Sequence, residues 1–403
     1  MKKMTPGHGA LPEAGVNTEA GQIPSRVVMV TSARGMGSFL EAATRGGQRD
    51  SGESFDPRVL EPSMRSGERA PDFLLGCHYK NTQRWENVTP LEKFERVRDS
   101  GVFDYLDWLP RPDDLAACVA ASEKTGVPML TGTWFYRLRQ DEALIERDMR
   151  NAARAGLEML NLMIYAEDGD GRVVTDDDIV ACFLRTSELG ATLGVKPTFE
   201  THVLCWSEKF KHVLPVVEAV RARGVEFNLT VDYSHCIFKI EQPDEQDISE
   251  IREDVEAGRV VLDPFEPGNL LQQWLATNAV RFAQFRPVAP NNPRNLWVVD
   301  RDGNPARGIQ YPFTKPAPGE WHSPWFAYKL AACKEAVRTI LRYHLTVPES
   351  PLRFMTTEMI AVEDYGMNAK YSIWEHNVAA GRWVRAAWAQ LRAMHAADIP
   401  LTV

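Results

Sequence analysis

With 403 residues, 44% of them hydrophobic and 25% charged, the chain is long enough to bury a large core and soluble in composition. A net charge of −9 argues against a nucleic-acid surface, which needs a basic stripe to displace counterions. No window approaches the ~18 apolar residues of a membrane span, and the two opening lysines have no apolar stretch behind them as a secretory signal would. The expectation is a cytoplasmic protein with no nucleic-acid and no membrane partner. Six cysteines, Cys77, Cys118, Cys182, Cys205, Cys236 and Cys333, form no CxxC pair and read as scattered buried thiols of a reducing compartment.

Residues 1–70 form an N-terminal extension, rich in Gly, Ser, Arg and Pro, with one short apolar run at Val27-Val28-Met29-Val30. Gly35 and Gly37 lack the strand-turn-helix setting of a phosphate loop, so the segment reads as a flexible arm. Such an arm is a candidate for packing across a second copy in a homo-oligomer.

From residue 71 to 403 short apolar runs alternate with helical periodicity, and one domain is expected. Strands are predicted at 73–78, 103–108, 128–134, 158–164, 196–200, 226–232, 280–285 and 353–358. Helices are predicted near 90–100, 112–125, 141–155, 176–193, 208–223, 246–257, 268–277, 324–345 and 373–396. A Pro/Asn/Gly-rich excursion over 289–322 delays the helix that follows the seventh strand. Eight strand-helix units over this length suit an α/β fold, a (β/α)8 TIM barrel with a long insertion after strand seven.

In a parallel barrel the functional groups gather where strands end and βα loops begin. Strands five to eight end in Glu200-Thr201-His202, Asp232-Tyr233-Ser234-His235, Gln284-Phe285-Arg286 and Glu358. Acidic residues in apolar strands are costly unless a partner offsets their desolvation. A divalent cation on oxygen ligands would do so, and Mn or Mg suits such a set better than Zn or Co. The alternative is that each acid pairs with its own arginine or lysine. His78, Trp108 and Trp134 reach the same rim, and a tryptophan there can stack on the C–H face of a sugar or simply belong to the core.

The segments 197–202 (PTFETH), 229–235 (LTVDYSH), 284–286 (QFR) and 356–359 (TTEM) resemble the site strands of the xylose isomerase-like TIM barrels, the superfamily of sugar phosphate isomerases and epimerases. The resemblance covers roughly 71–397. It implies a metal held by Glu200, Asp232 and Glu358, with Gln284 at the place where the family carries histidine. A glutamine carbonyl still ligates a hard cation, but less firmly than an imidazole.

The resemblance also implies roles. Glu200 and Glu358 would ligate the ion and exchange protons with substrate, Asp232 would be a pure ligand, and His235 and His202 would bind hydroxyls or relay protons. Arg286, His78, Trp108 and Trp134 would hold a small-molecule sugar or polyol, Arg286 having a salt bridge to a rim acid as its plain alternative. Three functions remain open at this stage: a metal-dependent isomerase or epimerase on a keto-sugar or cyclic polyol, a dehydratase or lyase using the same metal-enolate logic, and a non-catalytic binding barrel that has lost its metal.

Overall fold

A computed structural model describes residues 72–401. The arm, its Gly35 and Gly37, and its role in a homo-oligomer therefore lie outside the described residues. Eight strands close into a parallel ring in sequence order: β1 (Leu74–His78), β2 (Tyr105–Asp107), β3 (Met129–Tyr136), β4 (Met159–Ile164), β5 (Lys196–Thr201), β6 (Leu229–Asp232), β7 (Val280–Phe285) and β8 (Phe354–Thr357). Closure runs through β1 and β8, which pair from Leu74↔Phe354 to Cys77↔Thr357. The fold is a (β/α)8 barrel.

The outer helices are α1 (Pro90–Ser100), α2 (Leu115–Thr125), α3 (Glu142–Ala155), α4 (Asp176–Leu193), α5 (Val213–Arg221), the short α6 (Ser234–Ile237), α7 (Pro243–Ile248), α8 (Arg252–Glu256) and α9 (Leu270–Ala276), then α10 (Ala331–Thr346) and α11 (Ile373–Ala396). Thr89 and Thr175 start α1 and α4 with reciprocal capping boxes to Glu92 and Asp178. Two of the helices that differ from expectation show why. The one predicted over 208–223 begins at Val213, because Pro215 is tolerated only in a first turn; the residues before it form two single 3-10 turns. The one predicted over 246–257 breaks into α7 and α8 around Glu250, whose φ is +55°.

Alternation along the strands sorts the barrel interior into levels. Its floor is apolar, made of Tyr105, Met159, Phe282 and Phe354. Gly76 is glycine because a Cβ there would sit 2.3 Å from the Tyr105 ring. Two residues further along, the interior turns polar. Thr131 Oγ1 donates to Asp107 Oδ1 at 2.8 Å, Thr198 and Thr230 hydroxyls meet at 2.9 Å, and the Tyr105 hydroxyl meets that of Thr356 at 2.7 Å. The functional level lies one step above these.

The excursion after β7 extends to the 3-10 turn Ala327–Leu330 that leads into α10. It packs on the loop that follows β8 and on the start of α11. Ile309 N–H donates to the Asp364 carbonyl at 2.9 Å, Ile360 N–H to Gln310 Oε1 at 2.9 Å, and Phe313 N–H to His376 Nδ1 at 2.9 Å. A buried ion cluster ties it to the other side of the mouth: Arg307 reaches Glu208 (3.2 Å) and Glu245 (3.4 Å), and Lys239 reaches the same two acids at 3.0 and 3.4 Å.

Candidate metal centre

Period-two alternation delivers Glu200 from β5, Asp232 from β6, Gln284 from β7 and Glu358 from the end of β8 to one point. One carboxylate oxygen from each of Glu200, Asp232 and Glu358 lies within 4.8 Å of the others. All four residues are buried, Glu358 the most exposed of them at 6%. Among the described residues, the guanidinium in ion-pair contact with these acids is that of Arg286. Arg286 Nη2 is 2.9 Å from Glu358 Oε2 and 3.4 Å from Asp232 Oδ2, so the plain alternative for Arg286, a salt bridge to rim acids, is met. One guanidinium leaves two negative charges over if all three acids ionise.

Burial and mutual repulsion decide how the metal-free cluster settles. Burial pushes Glu200 well above the usual carboxylate range, helped by Glu358 and Asp232 and opposed by Asn161, whose Nδ2 donates to Glu200 Oε2. Burial also raises Glu358, to about 8, against the pull of Arg286. Burial alone would raise Asp232 too, but His235 and Arg286 beside it hold it well below its ordinary value. Although Asp232 and Glu358 share one guanidinium, they move in opposite directions. The difference is that Asp232 also has His235 Nε2 at 3.3 Å and a backbone hydrogen bond from Ser234 N–H at 3.0 Å. Asp232 therefore carries the charge and the two glutamates hold protons.

Gln284 tests the fit of a cation. Its amide end lies 2.7 and 3.2 Å from the Glu200 oxygens and 3.3 Å from Glu358 Oε2. With nitrogen on that side the amide donates to both acids. With the carbonyl turned there, four oxygen ligands converge, an arrangement that a shared positive ion would stabilise. Asp232 Oδ2 is buried and makes no hydrogen bond of good geometry, although His235 Nε2 and Arg286 Nη2 lie 3.3 and 3.4 Å from it. Glu200, Asp232, Gln284 and Glu358 thus fit a hard divalent cation.

The histidines lie beside this cluster. Glu200, His202 and His235 also bring ligand atoms within 4.8 Å, and the two imidazole centroids are 4.2 Å apart. His202, however, is fully engaged. Its Nδ1 faces the Val203 carbonyl, which only accepts, so Nδ1 carries the proton; Nε2 then accepts from the Tyr365 hydroxyl at 2.5 Å. Burial lowers both histidines, and the neighbouring His235 lowers His202 further. His235 Nδ1 has no hydrogen-bond partner.

Of the other residues expected at the rim, His78 is on the inward side of β1 and its Nδ1 accepts from Lys80 N–H at 3.0 Å. Trp108 stacks on Tyr79 with centroids 4.3 Å apart and meets the His78 ring edge-on at 6.3 Å. Trp134 lies under the Arg111 guanidinium at 4.1 Å. Its neighbour Phe135 is the β3 residue whose ring meets His202, at 5.3 Å.

Three further site residues lie outside the sequence expectation. Asn161, inward on β4, grips Glu200. Asp107 ends β2 as the others end theirs; it is fully buried, burial raises it to about 7, and its Oδ2 is unpaired. The strand-end rule would have found it. Tyr365, in the loop after β8, places its ring 3.6 Å from the Arg286 guanidinium, and no local pattern marks it. The cysteines near the site are not thiolates: burial pushes Cys77 up to about 12 and raises Cys205 and Cys236 as well.

No known family profile matches the chain, and no curated protein matches it. Among solved structures it is similar to the 3-keto-D-glucoside 4-epimerase YcjR of E. coli (12% identity, TM-score 0.43, covering 78% of this chain and 100% of that one). It is also similar to the IolI protein with a bound zinc atom (13%, 0.45, 79% and 99%). A third is the probable 3-DHS dehydratase AsbF of Bacillus anthracis (10%, 0.48, 78% and 99%). This chain's own strand order is that of a closed eight-stranded parallel barrel.

Proposed function

We propose that the chain is a divalent-metal-dependent isomerase or epimerase that moves a proton on a keto-sugar or cyclic polyol at the mouth of its barrel. One observation carries this reading: three buried carboxylates and one amide from four successive strands converge with a single guanidinium to balance them. Glu200, Asp232, Gln284 and Glu358 would hold the ion, with Mn or Mg favoured by the all-oxygen set and Zn or Co as alternatives. Bound there, it would act as a Lewis acid on a substrate oxygen.

The protein's own groups supply the rest. Glu200 and Glu358 hold protons when metal-free and give them up to ligate, so each is a carboxylate suited to exchanging a proton with substrate. Arg286 stays charged, since Glu358, Tyr365 and Asp232 outweigh the effect of its burial, and its fixed fork would hold an anionic oxygen. His235, lowered by burial, is a neutral imidazole beside Asp232 and would orient a hydroxyl. A small-molecule sugar or polyol is the partner that such a pocket suits.

A dehydratase or lyase would use the same groups, and product analysis separates the two. The test begins with metal analysis of protein purified without chelator. A panel of keto-sugars in deuterated water follows, read for deuterium at the carbon next to the carbonyl. Incorporation without an unsaturated product supports the isomerase; an unsaturated product supports the lyase. Protein that takes up neither Mn, Mg, Zn nor Co sinks the metal reading and leaves the binding barrel.

A further inference from the structure

His202 and Arg286 both lie beside the carboxylates, and one side chain occupies both. The Tyr365 hydroxyl donates to His202 Nε2 at 2.5 Å, and the Tyr365 ring covers the Arg286 guanidinium at 3.6 Å. Its ring is also 6.2 Å from that of His235. Tyr365, His202 and Arg286 are all buried, at 6%, 4% and 1% exposure. With Nδ1 committed to the Val203 carbonyl, Nε2 is the only nitrogen His202 has to offer, and Tyr365 holds it.

Tyr365 sits on the loop after β8. Its N–H donates to Val362 within the loop, and the loop is also tied to the excursion through Gln310 and Ile309. We propose that Tyr365 is a positioning residue of this site: it fixes His202 and Arg286 and withholds His202 Nε2 until a ligand oxygen takes over the hydrogen bond. The proposal rests on the reading of the mouth as a ligand site, but not on the presence of a metal.

The test is carbethoxylation by diethylpyrocarbonate, which needs an unengaged imidazole nitrogen, followed residue by residue by peptide mass spectrometry on chelator-treated full-length protein. In the native protein His202 should react slowly. Tyr365→Phe keeps the ring over Arg286 and removes only the hydroxyl; His202 labelling should rise about tenfold, the shift one lost hydrogen bond produces. Tyr365→Ala should raise it further. His376, buried in α11 and accepting from Phe313 N–H, is the internal control and should stay at its native rate. If His202 in Tyr365→Phe labels at the native rate, or rises only in step with His376, Tyr365 is ordinary packing and the proposal falls. Failure of the protein to bind Mn would overturn the metal reading alone and leave this result standing.

Discussion

Arg286 holds Glu358 at both ends: Nη2 lies 2.9 Å from the Glu358 carboxylate and Nη1 donates to the Glu358 backbone carbonyl at 2.7 Å. A planar fork aims two fixed donors at a side chain and its own main chain at once. Replacing Arg286 with methionine leaves Asp232 buried with a neutral imidazole as its nearest partner. The metal-free protein should lose about 3–5 kcal/mol, the cost of an uncompensated buried charge. Arg286→Lys should fall between this and the native protein. Denaturant unfolding of chelator-treated samples measures both, and a loss no larger than a surface substitution gives would refute the pairing.

Glu358→Gln separates fold from ligand. The native carboxyl, raised to about 8, is already neutral at pH 7 in the metal-free protein, so a neutral amide of the same shape should cost little stability. Metal affinity should fall at least about tenfold, because a charged ligand has been removed. Calorimetric titration with Mn and unfolding of the metal-free form, run side by side, test the two halves.

The amide of Gln284 suggests a gain rather than a loss. Gln284→His replaces a neutral carbonyl oxygen with an imidazole nitrogen at the same strand position. Affinity for Zn should rise by about tenfold or more, with a smaller change for Mg, because nitrogen ligands favour the softer ion. Competition between the two metals, followed by elemental analysis, reads this directly. Unchanged selectivity would mean that Gln284 never meets the ion and only donates to Glu200 and Glu358.

Acid-base behaviour gives a fourth test. Glu358 has an ordinary value of 4.5 and a folded value of about 8. Between those limits the unfolded chain releases its proton first, so this group's contribution to metal-free stability is fully present below about pH 4.5 and is lost as pH rises to about 8. Metal binding must displace that proton, so affinity should increase over the same interval and protons should appear in solution on loading. Mn titrations in buffers of different ionisation enthalpy count them. A pH-independent affinity would show that the glutamates are not ligands.

The barrel floor makes a separate prediction. Gly76→Ala places a methyl 2.3 Å from the Tyr105 ring, whose hydroxyl is pinned to Thr356. A destabilisation of about 1–3 kcal/mol is expected from overpacking, with metal affinity little changed, since the damage lies two levels below the acids.

Sequence alone revealed the strands and their order because each is a short apolar run whose last inward residue is polar. Glu200, Asp232, Gln284 and Glu358 announced themselves as charges or amides where burial penalises them. Asp107 obeyed the same rule and was passed over because the strand expected over 103–108 runs one residue past it to a conspicuous tryptophan, whereas the strand itself ends at Asp107. Trp134 and Phe135 show how far period-two reasoning depends on the strand's phase: Phe135 shares the face of Thr131 and Thr133 and meets His202, whereas Trp134 alternates away from it. Tyr365 was beyond reach altogether. Its role depends on how a loop after β8 folds back over a residue 163 positions earlier, and no periodicity encodes that separation.

The pairing of β1 with β8 bears on assembly. Glu358 is on the last stave, so a growing or truncated chain that has formed everything up to β7 possesses Glu200, Asp232 and Gln284 but lacks the group that completes their set. High-affinity cation uptake would then appear only when the final strand zips against the first, making it an indicator of completed folding that needs no engineered probe.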